Sequence, residues 1–182
     1  MNLAARILGW AGWRVEITVP DLPKALICVA PHTSNWDFIL GKLAYAAVGR
    51  KAGFLMKETW FFWPLGPLFR AMGGVPVPRR AHGRSLTEAI VERFRTTDRL
   101  TLAITPEGTR SRTAAWHTGF LRIAREADVP IELGVIDYKK RLITIKDIIT
   151  AGPDIKADLR RVKDYYRDAG ARYPEKFTTE DE

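Results

Sequence analysis

The 182 residues include a single cysteine, Cys28, and only three histidines. One thiol cannot close an intramolecular disulfide, so nothing points to an oxidising compartment. The same scarcity excludes a Cys/His structural zinc site. No apolar run reaches the roughly 20 residues a membrane-spanning helix needs. The richest stretch, Trp60 to Phe69, is broken by Pro64 and Pro67. At the N-terminus Arg6 interrupts the apolar residues and no basic segment precedes them, which argues against a signal peptide. A Gly-x-Ser-x-Gly elbow, a P-loop, zinc-finger spacing and an aromatic–basic RNA-binding signature are all missing. Repeats, low-complexity tracts and linkers are missing too, so residues 1–182 read as one domain with a short acidic tail, Glu180 to Glu182.

What is present leans toward anionic partners. The formal net charge is +8, and six Trp and eight Phe accompany it. Amphipathic rings settle at headgroup depth, so charge and rings together favour a water–lipid interface over nucleic acid. Residues 2–13 carry an amphipathic helical pattern, with Leu3, Ala4, Ile7, Trp10 and Ala11 on one face. Two readings of that face are open: it lies in a membrane interface, or it packs on the protein's own core. The ring-rich segment Trp60-Phe61-Phe62-Trp63-Pro64-Leu65 carries the same two readings. For Cys28, inside the apolar run 25–30, a buried inert thiol is expected.

Apolar runs at 25–30 (ALICVA) and 100–105 (LTLAIT) have strand length. Helical patterns cover about 35–48, 85–95, 119–127 and 154–168, with further strands near 53–56, 131–136 and 142–145. Strands alternating with helices predict an α/β fold, a mixed but mostly parallel sheet flanked by helices; the turn at 137–140 introduces antiparallel pairing.

Reactive residues cluster where the two strongest strands end. Pro31-His32-Thr33-Ser34-Asn35-Trp36-Asp37 follows the first, and Pro106-Glu107-Gly108-Thr109-Arg110-Ser111 follows the second. Sites in open α/β sheets form beyond the carboxyl ends of strands, so both clusters are expected in one pocket. Ser34 or Thr33 can cap the next helix with Asp37 in its first turn. His32, just before the cap, can swing over that turn to meet the aspartate. Asp37 would then accept the Nδ1 proton and leave Nε2 free to deprotonate a substrate hydroxyl. That is a Ser-His-Asp triad without its serine. Alternatively, Asp37 merely faces the helix dipole and His32 is a loop residue. The second cluster joins a glycine that permits close backbone approach to an anion-binding guanidinium. A third segment, Gly73-Gly74-Val75-Pro76-Val77-Pro78-Arg79-Arg80, is barred from a central strand by its alternating prolines and offers Arg79 and Arg80, with Arg84 nearby, as phosphate ligands. His82 and His117 receive no catalytic role.

Taken together, these segments resemble the glycerolipid acyltransferase family typified by lysophosphatidate acyltransferase. His32 to Asp37 matches the family's His-x4-Asp motif, and Gly73 through Arg79 is similar to its second motif. Pro106 to Ser111 matches the third, with Thr105 in place of phenylalanine; Val129 to Glu132 is similar to the fourth, with Leu133 where a second proline is expected. The motifs stand in family order over residues 25–140. The resemblance implies His32 as general base, Asp37 as its orienter, and Arg79, Glu107 and Gly108 in acceptor binding, beside Thr109 and with Arg110 adding charge for phosphate. It further implies an acyl thioester donor (acyl-CoA or acyl carrier protein) and a phosphate-bearing lipid acceptor of the lysophosphatidate type. Neither metal nor organic cofactor is expected, because the thioester is already activated. The expected location is peripheral, on the cytoplasmic face of a membrane. A thioesterase using the same His–Asp pair on water is the alternative.

Overall fold

In the computed structural model, which describes residues 2–77 and 85–181, the strands form one seven-stranded sheet with helices on both faces. The chain opens with α1 (Leu3–Trp10) and β1 (Arg14–Ile17), then β2 (Lys24–Ala30) and α2 (Asn35–Ala47). There follow β3 (Gly53–Lys57), α3 (Leu65–Ala71), β4 (Gly74–Val77), α4 (Leu86–Thr96) and β5 (Leu100–Ile104). The last third holds α5 (Gly119–Ala127), β6 (Ile131–Asp137), β7 (Leu142–Ile149) and α6 (Ile155–Tyr166). The spatial order is β1-β7-β6-β2-β5-β3-β4. Five neighbours, β6 through β4, run parallel, while the β6–β7 hairpin reverses direction and β1 follows β7. The expected mixed, mostly parallel sheet is thus observed.

Beta periodicity sorts the central strands onto two faces. Leu26, Cys28 and Ala30 of β2 join Leu102, Ile131 and Leu133 in a core under α4, α5 and α6. Ile27 and Val29 point the other way, toward α1 and α2. Helix α5 is held mainly by Phe120, Leu121, Ile123 and Ala124, all buried; each large apolar side chain contributes roughly 1.5–3 kcal/mol. Cys28 lies in this core, and burial pushes its thiol up to about 12, which leaves it inert at neutral pH.

Helices α2 and α4 start where side chains satisfy their first amides. Ser34 with Asp37, and Ser85 with Glu88, form reciprocal capping boxes. As its prolines required, β4 sits at the sheet edge, paired with β3 alone. Arg79, Arg80, His82 and Arg84 lie outside the described residues. Two elements were not anticipated. The four residues of β1, with exposed Arg14 and half-buried Glu16, are too short and mixed to stand out. Helix α3 tolerates Pro67 because a proline in the first turn removes no intrahelical hydrogen bond.

The N-terminal stripe faces outward. Leu8 is buried against α2, whereas Leu3, Ile7 and Trp10 are exposed, Leu3 at 69% and Trp10 at 79%. Asn2 caps α1 and donates from Nδ2 to the Ala46 carbonyl at the end of α2 (2.7 Å), which fixes one helix to the other. The segment 61–65 divides in the same manner. Phe61 packs edge-on to Phe69, with Arg70 over its ring, while Phe62 and Trp63 are exposed. Among the described residues no helix is long and apolar enough to cross a membrane.

Candidate active site

The carboxyl ends of three adjacent strands, β6, β2 and β5, hold the residues that matter. Loop 31–34 leaves β2, loop 105–118 leaves β5, and the turn at 138–141 leaves β6. Both predicted clusters therefore meet, as the strand-end rule requires.

Asp37 is the fixed point of this region. It is 2% exposed, and its Oδ2 accepts backbone N–H bonds from Thr33 and Ser34, each at 2.8 Å. Its Oδ1 accepts the Tyr138 hydroxyl at 2.6 Å. His32 Nδ1 lies 3.5 Å from Oδ2, buried and without a hydrogen-bond partner among the described residues. That spacing is just beyond a good hydrogen bond, and catalytic contacts of this kind commonly tighten when substrate binds. The imidazole keeps 19% exposure and lines the site's cavity. With Nδ1 buried beside the carboxylate, the exposed edge is the Nε2 side.

Glu107 works from beneath. Its Oε2 accepts the His32 backbone N–H at 2.8 Å, and its Oε1 is buried without a partner. Burial pushes its carboxyl up to about 8; the nearby Asp37 charge adds to the rise, and the His32 N–H opposes both. The side chain anchors the histidine loop and does not line the cavity. Gly108 adopts φ +64°, and the His117 ring lies so close that a Cβ there would sit 2.5 Å from its Cδ2. Any side chain at 108 would displace that ring, so glycine serves both the turn and the close approach. Thr109 accepts the Ser111 N–H and contributes nothing to the cavity wall. Arg110 lines the cavity and donates to Asn35 Oδ1, a second tie between the two loops.

The cavity measures about 890 Å³, within the usual range for ligand pockets. From His32 and Gly108 it extends between α2 and the sheet, against Ile27, Val29, Ala103 and Ile136, and it also reaches Ile90 of α4 and Phe120 and Ile123 of α5. Small residues make the room. A Cβ on Gly41 of α2 would meet only Ile136 Cδ1, at 3.9 Å, and Ala44 and Gly134 complete the gap. The core on this face is accordingly split into two clusters with the cavity touching both. Tyr45 also lines it, and donates its hydroxyl to buried Glu132 at 2.9 Å. Lys42, Arg110, Arg122 and His117 also line the cavity.

Several of these residues escaped sequence reasoning. His117 was passed over, yet its ring covers Gly108 and faces the cavity. Tyr138 lay in a segment read only as a turn. Placing β6 next to β2 would have exposed it, because it follows the carboxyl end of that strand.

Glu107 generates a pH prediction. A carboxyl raised from 4.5 to about 8 on folding keeps its proton in the native chain while the unfolded chain has lost it. Stability is unaffected by this group in acid and falls as pH rises from about 4.5 to about 8. Glu107→Gln keeps an acceptor for His32 and removes the titration. Denaturant unfolding should show the variant gaining on the parent across that window, by roughly 3–5 kcal/mol at about 1.36 kcal/mol per unit.

Comparison with known proteins follows the geometry. A family model described as Acyltransferase matches residues 14–132. Among solved structures, the 1-acyl-sn-glycerophosphate (LPA) acyltransferase PlsC of Thermotoga maritima has a similar fold. The TM-score is 0.57 at 17% identity, covering 93% of this chain and 78% of that one. Comparison with curated proteins finds no match. The matched span takes in β1 through the start of β6 and so contains His32, Asp37 and the Glu107–Arg110 loop. The chain belongs to the acyltransferase family that this family model describes.

Proposed function

We propose that the chain transfers a fatty acyl group from a thioester donor, acyl-CoA or acyl carrier protein, to the hydroxyl of a lysophosphatidate-type acceptor. One observation carries this reading: the half-buried His32, backed by buried Asp37, stands at an apolar cavity large enough for an acyl chain. The acyl chain enters the space between α2 and the sheet, which puts the thioester carbonyl beside His32. Arg110 and Arg122 offer positive charge and donors for the acceptor's phosphate, with His117 lining the same cavity. Arg79, carried over from the family's second motif, belongs to the same proposal.

The chemistry then balances simply. His32 Nε2 takes the acceptor's hydroxyl proton as its oxygen attacks the thioester carbonyl. The tetrahedral oxyanion collapses, the C–S bond breaks, and the imidazolium returns the proton to the departing thiolate. Asp37 stabilises the positive charge that His32 carries between those two events. The rest of the acceleration comes from holding hydroxyl and thioester together. The donor is already activated, so no step calls for a metal or organic cofactor.

A membrane surface fits the exposed side chains. Leu3, Ile7 and Trp10 on α1, Trp36 and Ile39 on α2, and Phe62, Trp63, Leu68 and Met72 around α3 are apolar and exposed, and α2 itself lines the cavity. With the net charge of +8, they suit an anionic bilayer from which amphiphilic substrates are drawn.

Thiol release from palmitoyl-CoA with and without 1-acyl-glycerol-3-phosphate tests the activity. His32→Ala should lower acceptor-dependent turnover by roughly 10²–10⁴-fold, the usual worth of a general base. Asp37→Asn should lose a comparable order, with helix α2 destabilised by about 1 kcal/mol through its cap. Thiol release indifferent to every acceptor would replace transfer with thioester hydrolysis. Sedimentation with phosphatidylglycerol vesicles tests the docking surface. Trp10→Ala with Trp63→Ala should cut binding about tenfold or more at unchanged melting temperature, since exposed substitutions move stability by about 0.5 kcal/mol or less.

A further inference from the structure

Three donors besides the imidazole reach Asp37, all closer than His32 Nδ1. Thr33 and Ser34 occupy Oδ2, and the Tyr138 hydroxyl occupies Oδ1 at 2.6 Å. The phenol is the shortest of the three contacts and comes from 101 residues away in sequence. It is also the only side chain among them. The backbone amides belong to the helix cap and fix where the carboxylate sits; Tyr138 fixes its rotation, and so which lone pairs Oδ2 presents to His32 Nδ1.

Tyr138 is itself firmly placed. Its ring meets Trp13 edge-on, with centroids 5.0 Å apart, and its backbone N–H donates to the Gly170 carbonyl at 2.7 Å. Gly170 is so close to the turn that a Cβ there would lie 2.6 Å from Asp137 Oδ1. Arg172 then sets its guanidinium among three rings, 5.6 Å from Trp36, 5.8 Å from Tyr138 and 5.6 Å from Tyr173. Tyr173 closes the circuit, its N–H donating to Thr33 Oγ1 at 3.3 Å. The segment after α6 is therefore sewn both to the turn carrying Tyr138 and to the loop carrying His32. Burial, and then the Asp37 bond and charge, raise the phenol above its ordinary range, so it stays a donor and does not act as a base.

We propose that Tyr138 is a positioning residue for acyl transfer, holding Asp37 in the rotation that supports His32, and that residues 170–173 belong to the catalytic apparatus through it. The inference rests on the proton-transfer reading above. A rotated carboxylate leaves the substrates' binding walls intact, so the effect falls on kcat and not on KM.

A double-mutant cycle with purified full-length protein, palmitoyl-CoA and 1-acyl-glycerol-3-phosphate tests it. Tyr138→Phe keeps the ring packed on Trp13. It should lower kcat roughly tenfold, part of the 10²–10⁴-fold that general-base assistance supplies, with both KM values within about twofold. In an Asp37→Asn background the same change should cost nothing further, because it acts through that carboxylate. If Tyr138→Phe folds poorly, Arg172→Met, which loosens the ring cluster and leaves the phenol in place, should give the same kcat-only loss in smaller degree. Tyr138→Phe with unchanged kcat, or with losses that add fully to those of Asp37→Asn, overturns the proposal. A His32→Ala control separates the failures. Activity retained in His32→Ala ends the proton-transfer reading and this inference together; activity lost there but intact in Tyr138→Phe ends only the inference.

Discussion

The site depends on one carboxylate performing two tasks. Asp37 is the third residue of helix α2 and closes its capping box, so its Oδ2 caps the start of the helix by taking the amides of Thr33 and Ser34. The same oxygen is the nearest acceptor to His32 Nδ1. Helix nucleation and imidazole alignment are thus set by a single side chain, and the histidine loop cannot shift without uncapping the helix. Glu107 adds a second anchor by holding the His32 backbone from the neighbouring strand end. The imidazole is placed through its main chain on one side and through a buried charge on the other, before any substrate arrives. Such preorganisation is what makes a general base effective.

Helix α2 joins this chemistry to the binding space. Its first turn carries Asp37, and one helical face farther along carries Gly41 and Ala44, where small side chains hold the helix away from the sheet. The opposite face of the sheet is filled by α4, α5 and α6 in one continuous core. Ile90, Phe120 and Ile123 of that core also line the cavity, so the packing that supplies stability on this side walls the apolar room as well. The price is a divided core on the α1/α2 side, partly offset by the Tyr45–Glu132 hydrogen bond at the cavity wall.

Much of this was legible beforehand, and the reasons are physical. Central β2, buried on both faces, and its half-buried neighbour β5 produce the uninterrupted runs at 25–30 and 100–105, and the Ser34 cap marks where α2 begins. The meeting of the two loops followed from strand-end geometry once both strands were recognised. Glu107 was the subtler case. As a motif residue it suggested acceptor contact, whereas its burial beneath His32 gives it an anchoring role that no local pattern reveals. Tyr138 and Arg172 act through contacts with residues far off in sequence, and His117 through the fold of its own loop; neither spacing nor periodicity encodes such pairs. The apolar stripe of α1 was plain, but only packing against α2 showed that Leu8 alone turns inward.

The central claim is that the imidazole at 32 takes its proton from an alcohol the ligand brings. A crystal structure with a non-reactive thioether analogue of palmitoyl-CoA and 1-acyl-glycerol-3-phosphate would address it most directly. The account places the acceptor hydroxyl about 2.6–3.2 Å from His32 Nε2, with the acyl chain between α2 and the sheet. An acceptor oxygen well beyond that reach, or an acyl chain bound outside that space, would contradict it.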